Sequence, residues 1–184
     1  MNDYEESKLT FEEMNPDYNK WDRVLYIGWH PKTFNSWKGY WFIEHINSKR
    51  NTPAKVFIIE KDKNYYEALK NHDITKEYEI EPILGDINEF PIKDKFFNLI
   101  IWWHGPEHVT ESELISCINK FEEESCDIIL GGPLGHDDYH DPNSDDKHLC
   151  ELTEEMFTKL GYDSIIVNRD ARGQVPHISA WKIK

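Results

Sequence analysis

The apolar positions of this chain fall into short runs that stop at a glycine, an acid or a polar turn. Arg23 to Gly28 is the first run, Lys55 to Glu60 the second and about Glu79 to Leu84 the third. Phe97 to Trp103, Asp127 to Leu130, about Ser164 to Arg169 and His177 to Ile183 follow. Short runs rich in Val, Ile, Phe and Trp, bounded by turn residues, predict strands. Gly131, Gly132 and Pro133 end the fifth of them, and residues 135–147, rich in His, Asp, Pro and Asn, read as a loop.

The segments between the runs change period. Asn35 or Ser36 caps a predicted helix running to about Ser48, with Trp37, Trp41, Ile43 and Ile46 on its apolar face. Asn64 to Asn71 predicts a short helix carrying Tyr65, Tyr66 and Leu69. Thr110, with Glu113 three residues later, predicts a capping box ahead of Leu114, Ile115, Ile118 and Phe121. Thr153 opens a last helix that stops at Gly161. Strands alternating with helices make an α/β fold with a parallel sheet, and such sheets bind ligands outside the carboxyl ends of their strands.

Composition narrows the picture. At 184 residues the chain suits one core, divided here into a lead-in or lid over residues 1–22 and a domain over 23–184. The lead-in reads as irregular or partly helical, anchored by Leu9, Phe11 and Met14. The formal net charge is −14, which repels phosphate backbones and anionic membranes, so neither nucleic acid nor membrane is expected as a partner. Cys117, Cys126 and Cys150 form no Cys-x-x-Cys pair, so neither a disulfide framework nor a thiolate zinc site is indicated. The acidic amino terminus does not read as a signal peptide, and no apolar run is long enough to cross a bilayer. A cytoplasmic monomer or homodimer is the expectation.

With these elements in order, the chain resembles the class I S-adenosylmethionine-dependent methyltransferases that act on small molecules. Two segments carry the resemblance. Phe97 to Trp103 followed by His104, Gly105, Pro106, Glu107, His108 and Val109 looks like the fourth-strand segment of that family, which often closes with Leu-Glu-His-Val. His148 and Leu149, followed by Leu152 to Phe157 and then Leu160, Gly161 and Tyr162, resemble the family's His ahead of a Thr-Pro-Glu-Glu-Phe helix. The resemblance implies a Rossmann-like, seven-stranded, mostly parallel sheet with helices on both faces and an antiparallel C-terminal hairpin. The family's Gly-x-Gly-x-Gly loop is altered: Gly28 holds the first position, but His30 and Lys32 stand where later glycines fall.

The resemblance also distributes roles. Gly28 and His30 would face the methionine part of S-adenosylmethionine, and Glu60 would accept hydrogen bonds from both ribose hydroxyls, a task that suits a carboxylate. Asp86 would accept from the adenine amine while Ile87 offers its backbone N–H, and Trp102 or Trp103 would stack on the base. The alternatives are an Asx turn at Asp86 and plain core packing for the tryptophans.

Histidines cluster twice at the same predicted edge. His104, Glu107 and His108 follow strand four; His136, Asp137, Asp138, His140 and Asp141 follow strand five. His104 and His140 are the candidate general bases for removing an acceptor proton. A divalent metal on these His/Asp loops is a rival reading, and no metal site is assigned. The expected function is methyl transfer to a small soluble acceptor at oxygen or nitrogen. A non-catalytic binding module on the same fold, or a metal-dependent enzyme, is the alternative.

Overall fold

The computed structural model describes residues 3–29, 41–94, 96–135, 147–167 and 176–184. Its strands are β1 (Arg23–Ile27), β2 (Lys55–Glu60), β3 (Glu81–Leu84), β4 (Leu99–Trp103), β5 (Asp127–Pro133), β6 (Asp163–Val167) and β7 (His177–Lys182). They form one seven-stranded sheet in the order β3-β2-β1-β4-β5-β7-β6. The first five pair in parallel, and β7 runs antiparallel between β5 and β6. This is the Rossmann-like architecture with a C-terminal antiparallel hairpin that the sequence led us to expect.

The helices are α1 (Asp3–Met14), α2 (Trp41–Ser48), α3 (Lys63–Asn71), α4 (Asp73–Glu77), α5 (Glu111–Glu122) and α6 (Glu154–Lys159). Side chains alternate across the strands and build two core layers. On one face Leu25, Ile27, Phe57, Ile100, Trp102, Ile128 and Leu130 meet Leu114, Cys117, Ile118 and Phe121 of α5 and Phe157 of α6. On the other, Val24, Tyr26, Val56, Ile58, Ile101, Trp103 and Ile129 meet α1, α2, α3 and α4. Among the described residues no helix is long and apolar enough to cross a membrane.

The caps predicted at Thr110 and Thr153 form, while Asn35 and Ser36 lie outside the described residues. Thr110 Oγ1 accepts from the Glu113 N–H at 3.3 Å, and Glu113 Oε2 accepts from the Thr110 N–H at 2.8 Å. Thr153 Oγ1 accepts from the Met156 N–H at 3.1 Å. Gly161 follows α6 at φ 75°, a conformation that glycine adopts without a Cβ penalty.

Three expectations are corrected. β5 does not end at Leu130 but runs through Gly131 and Gly132 to Pro133, because β7 pairs with it along that whole length. β3 and β4 begin later than expected, at Glu81 and Leu99. The lead-in is partly helical as expected, with α1 over Asp3–Met14, while α4 is a helix that the sequence reading did not include. Phe11 stacks on the His45 ring at 4.8 Å between centroids, and the Thr10 hydroxyl donates to Ser179 Oγ at 2.8 Å. The helix is thereby tied to both α2 and β7. Phe11→Ala should cost about 3–5 kcal/mol in denaturant unfolding; a loss below about 1 kcal/mol would show that α1 adds little to the core.

The two chain ends are joined through Asp127. Its carboxylate accepts from Trp21 Nε1 at 2.7 Å and from the Lys184 backbone N–H at 2.8 Å, and Asp127 and Trp21 are both buried. Burial also governs the thiols: it pushes Cys117 and Cys150 up to about 11 and Cys126 to about 12. A group raised above its unfolded value, about 8.5 for a thiol, stabilises the fold fully below that value. That contribution disappears as pH rises through the folded value. Stability should therefore decline from about pH 8.5 upward. At pH 8 the folded chain should resist alkylation by iodoacetamide and the denatured chain should take up three equivalents, one for each cysteine. Rapid labelling of the folded chain would contradict this burial.

Candidate functional site

In the order β3-β2-β1-β4-β5 the chain winds outward in both directions from β1 and β4. The carboxyl ends of those two strands form the topological switch point, where open α/β sheets hold their ligands. Gly28, the first residue after β1, sits at φ 82° and donates its N–H to the Ile59 carbonyl at 2.8 Å. Among the described residues, a Cβ built at Gly28 would meet nothing within 4 Å.

Glu60 closes β2 and is 7% exposed. Its Oε2 accepts from the Trp29 N–H at 2.8 Å and its Oε1 from the Asp62 N–H at 2.7 Å. The carboxylate therefore ties the loop after β1 to the loop after β2. Each oxygen has one further lone pair to offer, so two hydroxyl donors can still be met. Next along the edge, the Gly85 N–H donates to the Glu60 carbonyl at 3.0 Å. Asp86 Oδ1 accepts from the backbone N–H and side-chain amide of Asn88, both at 2.9 Å, which is the Asx turn considered above. Ile87 is buried, and its carbonyl accepts from Lys120 Nζ at 3.1 Å.

Trp102 and Trp103 lie in opposite core layers, as strand alternation requires. Trp102 packs edge-on to Phe121 at 6.2 Å and covers Gly105, where an added Cβ would fall 2.1 Å from Trp102 Nε1. Trp103 packs on Phe42 at 4.9 Å and covers Gly131. Both indoles are buried.

His104 is the turning point. It follows β4 with φ 52°, a left-handed conformation uncommon outside glycine, held by its N–H donating to the Gly131 carbonyl at 2.9 Å. Its ring meets the His177 ring at 4.6 Å, and its Nδ1 lies 3.5 Å from Glu107 Oε1. Glu107 is 2% exposed. Burial alone would push its carboxyl up, but the hydrogen bond from His104 and the charges of His104 and His108 outweigh burial and hold it below the ordinary carboxylate range.

Two features of this edge were not read as a site in the sequence. His177, at the start of β7, reaches His104 from 73 residues away, a pairing set by the β5–β7 register. His148 comes beside His108, ring centroids 5.0 Å apart, because the Glu107 carbonyl accepts from the N–H groups of Leu149 and Cys150. His30, His136 and His140 lie outside the described residues.

No family model matches the chain, and no curated protein is similar to it in sequence. Solved structures do resemble it. The N-terminal domain of EvdMO1, crystallised in the presence of SAH and D-fucose, superposes with a TM-score of 0.62 at 12% identity, over 97% of this chain and 81% of that one. DhpI in its SAM–HEP complex gives 0.59 at 12% identity, over 97% and 86%. The small RNA methyltransferase HEN1 gives 0.64 at 12% identity, over all of this chain (100%) but 25% of that one. The chain thus has the fold of the class I S-adenosylmethionine-dependent methyltransferases.

Proposed function

We propose that this protein is a methyltransferase that uses S-adenosylmethionine to methylate a hydroxyl or amine of a small soluble molecule. The carrying observation is Glu60: an acid at the end of β2, oriented by two backbone N–H groups, with lone pairs left for a ribose diol. The space beside Gly28, open among the described residues, suits the methionine part. Bound S-adenosylmethionine would supply a methyl group on a sulfonium sulfur; the C–S bond breaks as the bond to the acceptor forms, and the electron pair stays on sulfur. For such an in-line displacement the protein need only position the acceptor and, for a hydroxyl, take its proton.

His104 is the residue we assign to that proton. It stands at the end of β4, partly exposed, with buried Glu107 behind it to stabilise the imidazolium that forms. His140, outside the described residues, is a second candidate. We place Asp86 and Ile87 on the adenine side, with one of Trp102 and Trp103 against the base. The net charge of −14 favours a small neutral or cationic acceptor over RNA. A sugar hydroxyl is the first class to try, since EvdMO1 was crystallised with D-fucose.

The test is methyl transfer from radiolabelled S-adenosylmethionine to a panel of deoxysugars, other polyols and amines. His104→Asn keeps a side chain that tolerates left-handed backbone. It should lower turnover about 100-fold or more while leaving donor affinity within about twofold. Unchanged turnover in the variant would remove His104 from the mechanism.

A further inference from the structure

Buried Glu107 has chemistry beyond the support it gives to His104. Its Oε2 has no hydrogen-bond partner among the described residues, an expensive state for a buried carboxylate oxygen. Its Oε1 faces two imidazoles, His104 Nδ1 at 3.5 Å and His108 Nε2 at 3.8 Å.

The tautomer of His108 sharpens the point. Its Nδ1 lies 3.2 Å from the Lys147 carbonyl, which can only accept, so Nδ1 carries the proton. In the neutral ring the lone pair is then on Nε2, pointing at the Glu107 carboxylate. Two acceptors facing each other at 3.8 Å are too far apart for a hydrogen bond; a proton on the ring or a cation between the two groups would relieve them. Two ligands each about 2.1 Å from one ion stand about 3.4 Å apart at a tetrahedral angle, close to what is observed. A ring nitrogen fixed by a backbone carbonyl while its partner nitrogen faces the metal is also the usual outer-shell arrangement of metal-binding histidines. The third member is in place: the ligand atoms of Glu107, His108 and His148 all lie within 4.8 Å of one another.

We propose that Glu107, His108 and His148 hold a divalent first-row transition-metal ion beside His104, with an open position for an oxygen of the acceptor. Two imidazoles and one carboxylate favour Zn2+, Co2+ or Fe2+ over Mg2+ or Ca2+, which take oxygen ligands. The backbone explains why the site can persist. Glu107 and His108 sit on the 3-10 turn Pro106–His108, and the hydrogen bonds from Leu149 and Cys150 to the Glu107 carbonyl fix the segment that presents His148. An acceptor hydroxyl on the ion would be acidified and placed next to the proposed base. That last role rests on the methyl-transfer reading; the metal site itself does not.

The experiment is titration of the full chain, first stripped with a chelator, with Zn2+ by calorimetry and with Co2+ by visible absorption, in the absence of any methyl donor. One equivalent should bind with micromolar or tighter affinity, and the Co2+ spectrum should lack thiolate charge-transfer bands. His148→Ala and, separately, His108→Ala should each weaken binding at least about 100-fold, with circular dichroism establishing that each variant is folded. S-adenosylhomocysteine affinity should be unchanged in His148→Ala. Absent stoichiometric binding, thiolate bands, or full affinity in the two variants would overturn the metal site. Metal binding without donor binding would instead overturn the methyl-transfer reading and leave the ion in place.

Discussion

Replacing Glu60 with alanine should weaken binding of S-adenosylhomocysteine at least about 100-fold. Hydrogen bonds to a charged group contribute roughly 1.5–3 kcal/mol each, and two hydroxyls of one ribose would be lost together. About 2.7 kcal/mol already corresponds to that factor. The same change removes the acceptor for the buried Trp29 N–H and for the Asp62 N–H, so the variant should also lose roughly 1–3 kcal/mol of stability. Binding must be measured where the variant is folded. Glu60→Gln keeps one acceptor oxygen and should fall between, about tenfold weaker than the unmodified chain. Full affinity in a folded Glu60→Ala chain would show that the ribose is held elsewhere or that no such ligand binds at this edge.

The second large effect is structural. A Cβ at Gly131 would fall 2.0 Å from Cζ3 and 2.3 Å from Cε3 of Trp103. The indole cannot swing away, because it is packed against Phe42 in the buried layer under α2. Gly131→Ala should cost about 3 kcal/mol or more, read as a lower denaturant midpoint at unchanged slope. Gly85→Ala is the matched control. Its Cβ would meet Ile59 Cδ1 at 3.6 Å, an ordinary contact, and the change should be close to neutral. Equal stability of Gly131→Ala and the unmodified chain would mean that Trp103 is not wedged as described.

These glycines also show where the sequence was legible. The apolar runs predict all seven strands, most plainly β2, β4 and β5, because a strand buried on both faces needs unbroken apolar residues. Gly131 and Gly132 read as a stop, yet they continue β5. What they accommodate, the Trp103 ring and the Glu107 carboxylate, is supplied by other parts of the chain. The helix caps were legible because Thr110, Glu113, Thr153 and Gly161 act within a few residues of themselves. The lead-in was legible only in part, in its partial helicity and in the anchors Phe11 and Met14. Its buried positions Ser7, Thr10, Phe11 and Met14 have helical spacing, but two are hydroxyls whose burial depends on distant partners such as Ser179.

The site divides along the same line. Gly28, Glu60 and His104 stand at strand ends and follow from the order of the elements. The grouping of Glu107 with His148 depends on a backbone hydrogen bond across 42 residues of sequence, 107 to 149. No local pattern encodes it. His177 reaches His104 only through the antiparallel register of β7, which the sequence implies but does not count out.

The most direct test of the central claim is calorimetric titration of the unmodified chain with S-adenosylhomocysteine, after treatment with a chelator. A single site with a dissociation constant in the micromolar range or tighter, about −8 kcal/mol or more favourable, is the predicted result. No heat of binding, together with an unchanged melting temperature at millimolar ligand, would contradict it and leave the protein with the methyltransferase fold but without a donor site.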